Sequence, residues 1–222
     1  MVTKGYVAGD TKVVSAGLAA ARRMPWRFRN VTLDRIHDDL RSSVEAAINE
    51  FAHPIQGRKG LLLSGDVGVG KTAALWVLVK YYYAYRFLVD KTEQDPNGSE
   101  GPEQWNEDPA SMIYLTHFKL SGELRDYHRH TDVGANQPES YWRPLVAIDD
   151  LGTRFEDKAG WNIAIEYDFF NRRWERGLPL YCTTNKSIAE LRETEGWARI
   201  ADRLADPAWI ITAGTDSESQ RG

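Results

Sequence analysis

The chain has 222 residues, 42% hydrophobic and 27% charged, with a formal net charge of −4. A length like this buries roughly 70% of the surface its unfolded form exposes, so one domain is expected, and the charge balance excludes a disordered tail and a globally basic nucleic-acid binder. The single cysteine, Cys182, excludes an internal disulfide and a cysteine-rich zinc site, which fits a reducing compartment.

The N-terminal "MVTKGYVAGDTK" lacks the long apolar core of a secretion signal. The longest apolar stretch, "AALWVLVKYYYAYRFLV", is broken by Lys80 and Arg86 and is too short to span a bilayer comfortably, so a cytoplasmic location is expected. "GLLLS" (60–64) reads as a buried strand before a glycine-rich turn, and "TAALWVLVKYYYAYRF" (72–87) as a helix. Residues 89–110, rich in Pro, Gly and acids, read as a surface insertion. "SMIYLT" (111–116) predicts a strand, and "HFKLSGELRDYHRH" (117–130) a helix, followed by a polar loop. "LVAIDDLG" (145–152) is an apolar run ending in two adjacent acids. The spacing of Trp161, Ile165, Phe169 and Trp174 predicts a helix within 157–177, with Gly177 as its C-cap. "LPLYCTTN" reads as a strand, 187–204 as helix with a break near Gly196, and "AWIITA" (208–213) as a last strand. Strands separated by helices imply an α/β fold with a mostly parallel sheet covered on both faces.

The turn after the first strand, "GDVGVGKT" (65–72), satisfies G-x-x-x-x-G-K-[ST]. In such a loop the backbone N–H groups converge on phosphate oxygens and the next helix offers its positive end, so Gly65, Val67, Gly68, Val69, Gly70, Lys71, Thr72 and Ala73 are the expected phosphate-binding residues. Lys71 would reach the β- and γ-phosphates, and the Thr72 hydroxyl would hold Mg²⁺. A carboxylate at the end of a neighbouring strand would complete the ion's site, and Asp149 is the Walker B candidate. Asp150 would orient or deprotonate a water, or else cap a turn. Asn185, at the end of the "YCTTN" strand, would contact the γ-phosphate or that water, or else serve as a turn residue. Arg199 and Arg203 lie four apart on one helical face, as a pair of surface arginines or as a finger acting across a subunit boundary. "HFKLSGELRDYHRH" mixes basic and aromatic residues, the chemistry suited to single-stranded nucleic acid. Lys119, Arg125, Tyr127 and Arg129 are the candidates, the alternative being a solvated helix with core-facing aromatics. His117, His128 and His130 lack a Cys or acid that would complete a metal site.

Together "RFRNVTLD" (27–34), the P-loop, "LVAIDDLG", "FFNRRWERGLPLYCTTN" and "RIADRL" (199–204) resemble the DnaC/IstB-like AAA+ ATPases, the group of helicase loaders and transposition helper ATPases. The resemblance runs from about residue 26 to 214. It implies a five-stranded parallel αβα P-loop NTPase core without a C-terminal helical lid, with ATP and Mg²⁺ bound between self-assembling subunits. It also implies DNA-stimulated, slow hydrolysis that switches the grip on a partner. That partner would be a replicative DNA helicase on single-stranded DNA, or alternatively a transposase. Arg203 matches the family's trans-acting arginine with Arg199 just before it, and Phe28 and Val31 fall in the segment that flanks adenine. Residues 1–25 leave room for one short partner-binding helix ("VVSAGLAAARRM") in place of the loaders' N-terminal domain, and residues 215–222 for a tail. Within that tail Arg221 is a weak substitute for a lid arginine.

Overall fold

Five short apolar runs form the strands β1 (Gly60–Ser64), β2 (Met112–Thr116), β3 (Leu145–Leu151), β4 (Leu180–Thr184) and β5 (Ile210–Gly214). In the computed structural model they make one parallel sheet in the order β2-β3-β4-β1-β5. The structure describes residues 25–52, 57–94, 112–130, 138–143, 145–153 and 161–214. The expected short helix near the N-terminus, the 215–222 tail and most of the 89–110 insertion lie outside these residues. The insertion begins later than its composition implied, because the helix after the P-loop continues to Gln94.

Seven helices are described: α1 (Asp38–Asn49), α2 (Lys71–Gln94), α3 (His117–His130), α4 (Glu139–Trp142), α5 (Trp161–Glu175), α6 (Ile188–Glu193) and α7 (Ala198–Leu204). They cover both faces of the sheet, which is why β1 and β4 are buried at every position rather than at alternate ones. Leu61, Leu63, Leu145 and Ala147 face α1 and α2, meeting Leu40, Val44, Leu75 and Leu78. The intervening Leu62, Val146 and Ile148 face the other way, toward Leu120, Phe169, Phe170 and Ile200. The α1 helix is absent from the sequence-based expectations, although Leu40, Val44 and Ala47 keep helical spacing and His37 Nδ1 caps Asp39 N at 3.4 Å. The polar loop before β3 also contains one helical turn, α4, whose Tyr141 is buried.

Helix ends follow their sequence signals. Gly177 sits at φ 61°, with Gly177 N bonded to Trp174 O and Leu178 N to Arg173 O. This is the double closure that a glycine beyond a helix end permits. Ser187 and Glu190 form a reciprocal capping box that starts α6 directly after β4. Arg173, fully buried on α5, donates to the carbonyls of Ser140, Arg143 and Pro179, and burial lowers its pKa to about 9.

Gly60 fixes the spacing of the two central strands. A Cβ there would overlap Leu180 O and lie 2.7 Å from Leu180 N, both backbone atoms of β4. Gly60→Ala is therefore expected to destabilise the fold by about 3 kcal/mol or more, read as a lower midpoint in urea with an unchanged slope. An unchanged midpoint would mean that β1 and β4 can part at no cost.

Candidate active site

The loop from β1 into α2 places Lys71 and Thr72 at the carboxyl edge of the sheet. Gly68 and Gly70 have φ of 94° and 91° with open space around them, so backbone conformation rather than room demands glycine there. Between them Val69 lines a cavity beside the loop, and Val67 stands at the loop's tip, 83% exposed. The buried Lys71 Nζ donates to Gly65 O and Asp66 O, 2.7 Å each. Burial holds its pKa below the usual lysine range, opposed by Asp150, Asp66 and Asp149.

Two strands away, the buried Asp149 is where the hydroxyls converge. Its Oδ1 accepts from Thr72 Oγ1 at 3.0 Å and Thr183 Oγ1 at 2.5 Å, and its Oδ2 from Tyr114 OH at 2.8 Å. A carboxylate and a hydroxyl from the P-loop helix in direct contact form a hard oxygen pair, the donor chemistry suited to Mg²⁺. Thr183 and Tyr114 were not foreseen from the sequence. The Tyr114 ring packs 4.1 Å from that of Trp76, and burial raises its phenol pKa, helped by Asp149.

Asp150 leaves the strand's alternation. It has φ 58°, and the β3–β4 register shifts between Ile148 and Leu151, so a bulge turns it outward while Asp149 stays inside. Its amide donates to Thr183 Oγ1 at 2.9 Å, and its carbonyl accepts Thr153 Oγ1 at 2.6 Å. Both bonds use backbone atoms, and among the described residues its carboxylate makes no hydrogen bond. Partial burial raises the Asp150 pKa, with the Asp149 charge adding to the rise and Lys71 opposing it. Asn185 is exposed one residue beyond the end of β4, the strand lying between β1 and β3.

The cavity beside the P-loop, about 470 Å³, runs from Gly68, Val69, Gly70 and Ala73 to Ile36 and His37. Arg41 braces its far wall through bonds to the carbonyls of Leu33, Asp34 and Ile36. Neither Phe28 nor Val31 lines this cavity. Lys80 Nζ bonds Arg29 O and Val31 O, which draws their segment against α2, where Phe28 stacks on Trp76 at 6.4 Å. The residues brought to the P-loop instead come from 34–41.

Arg199 and Arg203 line a different cavity, of about 310 Å³, with Tyr167 and Asp202. On α3, Lys119 and Arg129 are exposed and Arg125 is half-buried. Tyr127 departs from the expected set: its ring packs against Tyr141 and the core beneath the helix. The aromatic residue that α3 does present outward is Phe118, 62% exposed. His117 is buried against Trp197, with Nε2 3.4 Å from Glu166 Oε1 and Nδ1 3.1 Å from Thr153 O. Among the described residues no three His, Cys, Asp or Glu side chains gather as a metal site. Cys182 is fully buried in β4. No helix among the described residues is long and apolar enough to cross a membrane.

No family model and no curated protein matches the sequence. Solved structures do match. The crystal structure of the DnaC helicase loader superposes with a TM-score of 0.60 at 16% identity, covering 85% of this chain and 99% of that one. DnaI follows the fold with a TM-score of 0.56 at 19% identity, covering 86% of this chain and 94% of that one. The replication initiator DnaA bound to AMPPCP and single-stranded DNA gives 0.53 at 12% identity, over 84% of this chain and 50% of that one. The chain thus has the α/β fold seen in DnaC and DnaI, a five-stranded parallel sheet covered by helices.

Proposed function

We propose that the protein is an ATP-hydrolysing AAA+ switch that loads or remodels a replicative DNA helicase on single-stranded DNA. One observation carries the reading: Lys71, Thr72, Asp149 and Asp150 converge at one sheet edge, while Arg199 and Arg203 line a separate cavity. That division suits a site completed by a neighbouring subunit in an ATP-dependent assembly.

The P-loop amides and Lys71 bind the β- and γ-phosphates, and the 34–41 wall flanks the base. Thr72 and Asp149 hold Mg²⁺, with Tyr114 and Thr183 orienting the carboxylate. When bound, the ion would neutralise charge on the phosphate oxygens. Asp150 takes a proton from water as the water oxygen bonds to the γ-phosphorus and the bond to the bridging oxygen breaks, releasing ADP and phosphate. Asn185 contacts the γ-phosphate or the attacking water, and the neighbour's copy of Arg203 stabilises the charge that develops.

For DNA, the outward face of α3 offers Phe118, Arg125 and Arg129 with Lys119 beside them, a stacking ring among cations. Its support is this exposure and the fold's likeness to a DnaA solved with single-stranded DNA. Phe118→Ala is expected to weaken binding of a single-stranded oligonucleotide about 5- to 100-fold, the value of one base stacked on an aromatic ring, with ATP binding unchanged. Full affinity in a fluorescence-anisotropy titration would remove α3 from the DNA site.

Light scattering on a mixture with a hexameric replicative helicase tests the whole reading. A defined complex in ATP and Mg²⁺ that weakens in ADP is expected. No complex in either nucleotide would overturn the helicase assignment and direct the search to duplex DNA and a transposase.

A further inference from the structure

The chemistry around Arg203 gives the "NRRW" segment of α5 a role (residues 171–174). Arg203 Nε and Nη2 both donate to Asn171 Oδ1, at 3.3 Å each. The Asn171 amide has a defined orientation, because its Nδ2 donates to Glu175 Oε1 at 2.7 Å and Oδ1 also faces Tyr167 OH at 3.4 Å. The guanidinium carbon lies 3.9 Å from the centroid of the Trp174 ring. That ring is fixed in turn by its Nε1 donating to Asp206 Oδ2 at 2.8 Å, while Asp206 Oδ1 accepts Ala208 N. One edge and one face of the guanidinium are therefore occupied. Among the described residues Nη1 makes no hydrogen bond, and Arg203 lines the open 310 Å³ cavity.

The kind of partner matters as much as its position. Asn171 is a neutral acceptor, and the tryptophan face is neutral too, so neither cancels the arginine's charge. The nearby acids hydrogen-bond elsewhere, Asp202 Oδ1 to Arg192 Nε at 2.9 Å and Asp206 to the indole, so neither bonds the guanidinium directly, although the Arg203 charge helps to lower the pKa of Asp206. A cation whose job was only to staple α7 to α5 would be served better by a carboxylate at position 171, which would form a charge-assisted pair.

We propose that Asn171 and Trp174 are positioning residues that hold Arg203 without a direct ion pair, its free edge presented to the γ-phosphate of ATP bound to a neighbouring subunit. This rests on the reading of Arg203 as a trans-acting residue. Asn171 sets the rotation of the guanidinium, and Trp174 sets its plane.

A mixing experiment with full-length chains separates the proposal from the reading beneath it. Acceptor subunits carry Arg203→Ala and keep an intact nucleotide site. Donor subunits carry Asp150→Asn, which keeps Arg203 and removes their own turnover. With ATP, Mg²⁺ and single-stranded DNA, the mixture should hydrolyse ATP well above the sum of its parts. Adding Asn171→Ala to the donor should cut that rescue at least about 10-fold, within the roughly 10³–10⁵ such an arginine contributes, with the KM for ATP unchanged. Asn171→Asp in the donor should also lose rescue, although it preserves the acceptor, because it neutralises the guanidinium. Trp174→Phe, which keeps an aromatic face, should retain most of it. Equal rescue by the parent, Asn171→Ala and Asn171→Asp donors would overturn the positioning role. Absence of rescue by the parent donor would overturn the trans role of Arg203 itself. A donor that melts early is set aside, and Asn171→Asp, close in shape to the native residue, then decides.

Discussion

Lys71→Ala is expected to weaken ATP binding by about 3–5 kcal/mol, roughly 10²- to 10⁴-fold, in an isothermal titration with Mg²⁺ present. The surroundings of the ammonium set the size of the effect. Its Nζ is held by two loop carbonyls at 2.7 Å, and the charges that act on it are those of Asp150, Asp66 and Asp149. Without the lysine, the triphosphate would approach the Asp150 and Asp66 carboxylates with no side-chain cation of the loop to oppose them. The folded chain itself should suffer little, since burial already opposes the lysine's charge and holds its pKa down. The variant should therefore melt near the wild-type temperature, which distinguishes a lost site from a lost fold. Micromolar ATP binding by a folded Lys71→Ala protein would sink the P-loop assignment.

How far the sequence foretold this site depended on whether a residue's role had a spacing attached to it. The P-loop spacing and the acids after "LVAI" could be read because glycine, lysine and aspartate there have few other reasons to follow a buried strand. Tyr114 and Thr183 could not, since a tyrosine and a threonine inside apolar strands look like ordinary β residues. Only the register, which sets Tyr114 beside Ala147 and Thr116 beside Asp149, brings the phenol onto the carboxylate's face. The roles of Phe28 and Val31 came from resemblance, and two bonds from Lys80, to the carbonyls of Arg29 and Val31, hold their segment against α2, a contact between distant residues that no local pattern announces. Other departures were legible. Leu120, Leu124 and Tyr127 fall at i, i+4 and i+7, so helical geometry assigns Tyr127 to the buried stripe and leaves Phe118 outside. The α1 helix likewise carried its signal in Asp38, Asp39 and the spacing of Leu40, Val44 and Ala47.

Asp150→Asn is expected to keep ATP bound and to lower its hydrolysis about 10²- to 10⁴-fold, the range of a positioned general base. The alternative, that Asp150 is a turn cap, meets the geometry badly. The turn at 150–153 is closed by Thr153 N and Oγ1 on the Asp150 carbonyl, and the strand end by Asp150 N on Thr183 Oγ1. None of these bonds uses the carboxylate. Stability should move the opposite way from activity. Asparagine tolerates the left-handed φ of 58° at least as well as aspartate, and its neutral amide removes the repulsion from Asp149 beside it. Without nucleotide or Mg²⁺ the variant should therefore melt no lower than wild type. With ATP it should accumulate in the assembled state and hold its protein partner, because the step that releases the grip has been removed. Normal turnover with a lowered melting temperature would return Asp150 to a structural role and leave Asn185 as the residue at this edge to test for activation of the water.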